Sequence, residues 1–214
     1  MIVWAIVVAA GGGTRFGGPK QYETLGHQRV LDWSLQAARS VSDGVVLAVS
    51  AERAQSPEPG ADIVVAGGAT RSQSVRAALG AVPSNADVIV VHDAARPLAS
   101  AGLFRGVVSA VAGGASAAVP GLPVTDTVKR VRDGLVSATL DRAELVTVQT
   151  PQAFRATALR HAHAVGGEAT DDAALVEAGG GDVVVVEGEP ANVKLTTRDD
   201  LDGARVLLEA KALR

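Results

Sequence analysis

The sequence contains no cysteine in 214 residues, which excludes disulfides, thiolate zinc sites, iron–sulfur clusters and a cysteine nucleophile. Positive charge is not in excess either. A formal net charge of −3 leaves no global basic field to draw in nucleic acid or acidic membranes. Lysine is scarce: Lys20, Lys129, Lys194 and Lys211 are the only four, and arginine supplies the rest of the positive charge. Where arginine is favoured so strongly, a lysine is kept for its compact point charge rather than a planar fork. Lys20 and Lys194, beside glycine-rich or strand-end segments, stand out on this count, whereas Lys211 reads as a surface lysine.

No apolar run approaches the roughly 20 residues that a transmembrane helix needs. The opening Met1–Ala10 has no Lys or Arg ahead of its apolar stretch, as a signal peptide would have. It carries β-branched Ile2, Val3, Ile6, Val7 and Val8 and runs into Gly11-Gly12-Gly13, the pattern of a buried strand ending in a glycine loop. A soluble, cytoplasmic protein is expected. What the chain does have is 47% apolar and 20% charged residues, the balance of a folded globular protein. A chain of this length buries roughly 70% of its unfolded surface, enough for a core without staples.

Short Val-rich runs alternate with longer helical patterns. Residues 2–8, 44–49, 62–65, 87–91, 116–120 and 182–186 read as buried parallel strands. Residues 30–40, 72–79, 101–112, 155–164, 171–178 and 198–213 suit helices; in the last, Leu201, Ala204, Leu207 and Leu208 recur at helical spacing. Alternating β and α units predict a single α/β domain, an open, mostly parallel sheet with helices on both faces. No fixed-period repeat or low-complexity linker divides the chain. One stretch breaks the pattern: in Val124–Leu145, β-formers flank Asp133-Gly134, a strong hairpin signal. A hairpin inserted there projects from the sheet, either folded back on its own domain or embracing a second subunit.

Two sites carry candidate chemistry. The first, Ala9-Ala10-Gly11-Gly12-Gly13-Thr14-Arg15-Phe16-Gly17-Gly18-Pro19-Lys20, follows the first strand, where ligands of open α/β sheets sit. Its glycines let backbone N–H groups approach an anion, and Arg15 and Lys20 add charge suited to phosphate. It is no Walker A loop, lacking Gly-Lys-Ser/Thr, and no dinucleotide fingerprint, lacking the third glycine. The second, His92-Asp93-Ala94-Ala95-Arg96-Pro97, follows a central strand, so that Asp93 could meet a divalent metal or a substrate hydroxyl. The plainer alternative is a turn aspartate paired with Arg96. No Ser–His–Asp order and no transition-metal spacing stands out. Other segments read singly as turns or caps, Thr170 for instance as the N-cap of the helix that follows it.

Taken in order, the segments AAGGGTRFGGPKQ, GGATRSQSV, VHDAARP, PVTDTVK, TLDR, QTPQAF, ATDDA and NVKLTT resemble the 2-C-methyl-D-erythritol 4-phosphate cytidylyltransferases of non-mevalonate isoprenoid synthesis. The resemblance runs from Val3 to about Leu208. It implies a Rossmann-like nucleotidyltransferase fold with a β-arm at 124–145, a homodimer formed through that arm, CTP with Mg²⁺ or another divalent cation, and release of pyrophosphate. It places Arg15, Lys20 and Lys194 in catalysis. CTP contacts would fall on Ala9, Ala10, Gly11, Gly12, Gly13, Gly68, Arg71, Ser74, Asp93 and Ala94. The sugar phosphate would meet Asp93, Arg96, Thr150 and Thr170 of one subunit, with Thr127 and Arg142 reaching over from the other. Asp93 is also the candidate metal ligand. Against the family's pattern, the segment between Arg15 and Lys20 is short, Ala69 stands where an acidic residue is common, and Asp172 replaces a frequent glutamate. A ribitol 5-phosphate cytidylyltransferase would share nearly every nucleotide contact, and a CTP-binding regulatory protein without catalysis is the alternative from another class. Neither nucleic acid nor membrane is expected as a partner.

Overall fold

The computed structural model describes the backbone of residues 1–212 and side chains up to residue 210. The expectations for Lys211 and for Leu213 as a helix end therefore lie outside the described residues. In chain order the elements are β1 (Val3–Val8), β2 (Thr24–Leu25), β3 (Gln28–Arg29), α1 (Val30–Arg39), β4 (Gly44–Val49), β5 (Ile63–Ala66), α2 (Arg71–Ala81), β6 (Val88–Asp93) and α3 (Ala101–Ala112). There follow β7 (Ala117–Pro123), β8 (Lys129–Arg132), β9 (Leu135–Thr139), β10 (Val146–Val148), β11 (Gln152–Arg155), α4 (Ala156–Val165), α5 (Asp172–Ala178), β12 (Val183–Glu187) and α6 (Arg198–Ala212).

The apolar runs read as strands form the sheet. β1 lies between β6 and β4, both parallel to it, and β5 continues parallel beyond β4. Chain order therefore reverses between β1 and β6, and this switch point opens a crevice beyond the strand ends. β-branched residues crowd these strands because both faces are covered, leaving no polar side to alternate with. Ala5 and Val7 face a cluster holding Leu31 and Leu35 of α1 and Phe104 and Val107 of α3. Ile6 faces the other way, into a cluster with Val75 and Leu79 of α2, Leu159 of α4 and Val176 of α5. A third cluster packs Leu201 and Ala204 of α6 on Phe16, Leu25, Val30 and Leu195.

Three features correct the sequence reading. β11 pairs antiparallel with both β6 and β7 in the middle of the sheet, and β10 pairs antiparallel with β7. QTPQAF escapes a strand reading because its short apolar segment is broken by Pro151. Second, β12 is parallel to β7 as expected, but Val184 and Val185 are exposed, so it is an edge strand rather than a buried one. Third, β2 and β3 form a small hairpin that the sequence pattern does not signal.

The arm follows its sequence signal. β8 and β9 form a two-stranded sheet of their own, with Val131 against Val136. Asp133 and Gly134 have φ of 50° and 77°, the left-handed pair that a two-residue type I′ turn requires.

Phe154 of β11 is fully buried among Ile89, Ala117 and Leu159. Phe154→Ala should cost about 3–5 kcal/mol of folding stability. The urea unfolding midpoint measures it, and a loss below about 1 kcal/mol would mean that the sheet closes without this side chain.

Candidate active site

β1 ends at Val8 beside the end of β6 at Asp93, and the crevice between them is lined by Ala9–Gly13, Lys20, Gln21, Gly68–Arg71, Ser74, Asp93–Ala95 and Lys194. Its volume is about 280 Å³. The floor is the glycine loop. Among the described residues, the N–H groups of Gly11, Gly12 and Gly13 donate to no protein acceptor, and a Cβ on Gly11 or Gly12 would meet open space. Beyond them the chain turns tightly. The Gly13 carbonyl accepts from Phe16, Gly17 and Gly18 at 2.9, 3.0 and 3.2 Å. Gly13 has φ of 66°, and a Cβ there would sit 1.9 Å from the Gly18 oxygen, so only glycine closes this turn. Unpartnered N–H groups facing a crevice form an anion site.

Across the crevice, Asp93 is 7% exposed and held between two cations. Its Oδ1 accepts from Arg71 Nε at 3.0 Å and its Oδ2 from Lys194 Nζ at 2.6 Å. Burial alone would raise its pKa, but Arg71 and Lys194 outweigh burial and hold the carboxyl well below the usual carboxylate range. Arg71 is itself anchored from behind: Nη1 donates to Asp172 Oδ2 at 2.7 Å, and Asp172 Oδ1 meets His163 Nε2 at 2.9 Å. A chain of polar contacts thus runs from α4 and α5, where it is buried, through α2 to the partly exposed Lys194. Lys20 forms no ion pair among the described residues. Partial burial, then Lys194 and Arg15, push its pKa down. Three neighbouring cations with one acidic residue lining the crevice leave it short of negative charge, a want that a polyanion meets.

Beside this crevice a second one is lined by Arg71, Asp93, Arg96, Val148–Thr150, Gln152, Thr170, Asp171 and Lys194. The two share Arg71, Asp93 and Lys194, so a group bound in one lies next to a group bound in the other. The Asp93 N–H donates to Thr150 Oγ1 at 3.0 Å, and that hydroxyl lies 3.2 Å from His92 Nδ1. His92 Nε2 lies 3.2 Å from the Arg96 carbonyl. Arg96 Nη1 donates to the Asn192 carbonyl at 2.7 Å, and burial lowers the Arg96 pKa.

The first crevice collects Ala9, Ala10, Gly11, Gly12, Gly13, Lys20, Gly68, Arg71, Ser74, Asp93, Ala94 and Lys194. The second collects Arg96, Thr150 and Thr170. Arg15 is exposed and lines neither, acting on Lys20 only through its charge. Thr127 and Arg142 are also exposed and lie on the arm segment, outside both crevices; the Arg142 guanidinium donates to the Thr125 carbonyl. Two simple readings give way. The Asp93 carboxylate pairs with Arg71 and Lys194, while Arg96 meets Asp93 only through backbone, N–H to carbonyl at 3.0 Å. Asp171 rather than Thr170 caps α5, its carboxylate accepting from Ala174 N–H at 3.1 Å.

As a metal ligand Asp93 offers little, since each of its oxygens already binds a cation. Among the described residues no group of three or more His, Cys, Asp or Glu converges. An ion caged by protein does not fit; one carried on phosphates, needing at most one carboxylate, does. Gln21, Gln149 and Asn192 lie in segments the sequence singles out but carry no role there, and His163 goes unsignalled altogether. Gln149 and Asn192 knit residues 189–192 to the QTPQ segment, Asn192 Nδ2 donating to the Thr150 carbonyl at 2.9 Å and Gln149 Nε2 to the Glu189 carbonyl at 2.9 Å. Amides that serve backbone leave no spacing pattern to find.

A glycine loop with unpartnered amides at the switch point of a mostly parallel sheet, faced by two lysines, suits a phosphate-bearing ligand, and the relatives of this chain make the class that of a nucleotidyltransferase. Residues 3–210 match the family described as IspD, 2-C-methyl-D-erythritol 4-phosphate cytidylyltransferase. A Rhodococcus jostii (strain RHA1) protein of that name is 46% identical over 221 residues, covering 98% of this chain and 96% of its own. The crystal structure of the Thermus thermophilus protein of that name is similar with a TM-score of 0.82 at 37% identity, covering 95% of this chain and 98% of that one. A bifunctional enzyme IspD/IspF of Solidesulfovibrio magneticus is 42% identical over 224 residues, covering 94% of this chain, which spans only 56% of that longer relative. The chain belongs to the 2-C-methyl-D-erythritol 4-phosphate cytidylyltransferase family.

Burial pushes His92 down to about 4, so the ring is neutral at pH 7. The unfolded chain takes up this proton first, near pH 6.5. The contribution of neutral His92 to stability is therefore complete above about pH 6.5 and is lost as pH falls toward 4, by up to about 1.4 kcal/mol per pH unit. Replacing the ring by His92→Gln should flatten that limb of a plot of urea midpoint against pH; an unchanged slope would place the titration elsewhere.

Proposed function

We propose that this chain transfers CMP from CTP to 2-C-methyl-D-erythritol 4-phosphate, releasing pyrophosphate and forming 4-diphosphocytidyl-2-C-methyl-D-erythritol for isoprenoid precursor synthesis. The convergence of Lys20 and Lys194 on a crevice floored by unpartnered glycine N–H groups carries this reading. The family match and the name of the R. jostii relative support it. The nucleotide occupies the crevice at the end of β1, and the sugar phosphate the adjoining one.

No general base is needed. The second pKa of a phosphomonoester is near 6, so the attacking oxygen is already largely deprotonated at neutral pH. That oxygen forms a bond to the α-phosphorus of CTP while the bond to the β-phosphate bridging oxygen breaks and pyrophosphate leaves. The obstacle is repulsion between two polyanions. Lys20 and Lys194 neutralise charge at the reacting phosphate, with Arg15 adding to the field, and the Gly11–Gly13 amides hold the phosphate oxygens. Asp93 keeps Lys194 aimed into the crevice until phosphate competes for it. A divalent cation, if carried by the nucleotide phosphates, would add charge neutralisation beside Lys20 and Lys194. The reaction belongs in the cytoplasm, where CTP is available; among the described residues no helix is long and apolar enough to cross a membrane.

The arm makes this chain one half of a homodimer. Leu135 is 74% exposed and Val136 61%, and Val146 and Val185 at the sheet edge are exposed too. Apolar surface of this kind marks an interface. Pairing would bring Thr127 and Arg142 of one copy to the sugar-phosphate crevice of the other.

Pyrophosphate release should occur with CTP, Mg²⁺ and methylerythritol 4-phosphate but not with ribitol 5-phosphate. Turnover with ribitol 5-phosphate alone would move the chain to another substrate, and CTP binding without turnover to a regulatory role. Lys20→Ala and Lys194→Ala should each fold normally yet lose about a hundredfold or more in kcat, as for a lost transition-state donor worth roughly 3–4 kcal/mol; normal turnover in either would remove that lysine from the mechanism. Sedimentation should give twice the 21.6 kDa chain mass, and deleting the hairpin should abolish association and activity together. A fully active monomer would refute the shared site.

A further inference from the structure

The segment that presents Lys20 is short, tightly turned and anchored by few apolar contacts, Phe16 being its one residue in the third core cluster. Lys20 forms no ion pair among the described residues; it is half-buried, with Lys194 and Arg15 as like-charged neighbours and Asp93 and Asp200 as opposite ones. Without a salt bridge to fix it, the place of its ammonium depends on how its backbone is held.

The next residue holds it. Gln21, in the 3₁₀ turn Lys20–Tyr22, is 6% exposed, and its Nε2 donates to the Ala9 carbonyl at 2.8 Å and the Gly11 carbonyl at 3.2 Å. Both partners are acceptors only, so the orientation of the amide is dictated by chemistry: nitrogen must face them, and both its N–H groups have a partner. The two carbonyls flank Ala10, at the point where β1 gives way to the glycine loop. One side chain thus ties the start of the loop to its end, and fixes the distance between the glycine amides and the Lys20 backbone. The Lys20 N–H, bonded to the Gly18 carbonyl at 2.9 Å, closes the same turn from the other side.

We propose that Gln21 is a positioning residue for cytidylyl transfer, clamping the glycine loop to the 3₁₀ turn so that the Lys20 ammonium, which no salt bridge fixes, stays in the crevice. This rests on the reading under which Lys20 acts on the reacting phosphate. Gln21 lines the nucleotide crevice, but its amide nitrogen is committed to those two carbonyls, and its effect on the reaction passes through Lys20.

Gln21→Met keeps the length of the side chain and removes both donors. It should lower kcat by about tenfold or more, since small misplacements of a catalytic group are costly, while KM for CTP changes far less. In a Lys20→Ala background the same substitution should have almost no further effect, because the group it positions is gone. Thermal unfolding of the variant should shift down modestly, since two carbonyls lose their donor, with the protein still folded at assay temperature. Wild-type kcat in Gln21→Met, an equal loss in both backgrounds, or unfolding at assay temperature would each overturn the clamp, the last by making Gln21 a stability residue. Failure of the wild type to release pyrophosphate would instead sink the cytidylyl-transfer reading, so the two failures are told apart.

Discussion

The Asp93 carboxylate is the contact on which the site depends. It stands at the end of a central strand and binds Arg71, at the start of α2, and Lys194, in the segment leading to α6. These residues are 22 and 101 positions away in sequence. A buried charge is tolerated only when paired, and with two cations on Asp93 the carboxylate keeps Arg71 even when Lys194 is drawn away. Asp93 therefore fixes where two of the site's cations must be. The partly exposed Lys194 end is the looser of the two and the one a phosphate can draw away. The Arg71 end is locked by Asp172 and His163.

Around this contact the fold does two things at once. The sheet buries aliphatic side chains on both faces and so holds the ends of β1 and β6 rigidly side by side. Rigid strand ends then support loops whose backbone amides are left without protein partners. Such amides are normally costly, and here they are exposed to the crevice, where water or an anion serves them. Lys20 has like-charged neighbours in Lys194 and Arg15, offset in part by Asp93 and Asp200, and an anion in the crevice would relieve that repulsion.

Much of this is legible in the sequence. Val-rich runs give the parallel strands because a strand covered on both faces has no polar side to show. Asp133-Gly134 gives the arm because two consecutive left-handed residues suit few other sequences. The glycine loop and the scarce lysines point to phosphate before any coordinates. Legibility fails where contacts are long-range. Nothing near Arg71 announces Asp172 and His163, 101 and 92 residues on, and Gln152 through Phe154 look too short and too close to proline to be a central strand.

What the sequence by itself determined is local: which runs become strands or helices, where the chain must turn, and which residues are candidates for phosphate chemistry, together with the family that their order spells out. Only the tertiary structure decided which of them meet. It separated exposed Arg15 from the crevice that Lys20 lines, made Asp171 rather than Thr170 the cap of α5, put Asp93 with Arg71 instead of Arg96, and gave Gln21 two carbonyls to hold. The reason is that propensity and periodicity depend on neighbours in sequence, whereas ion pairs and backbone clamps depend on distances that exist only once the sheet has closed.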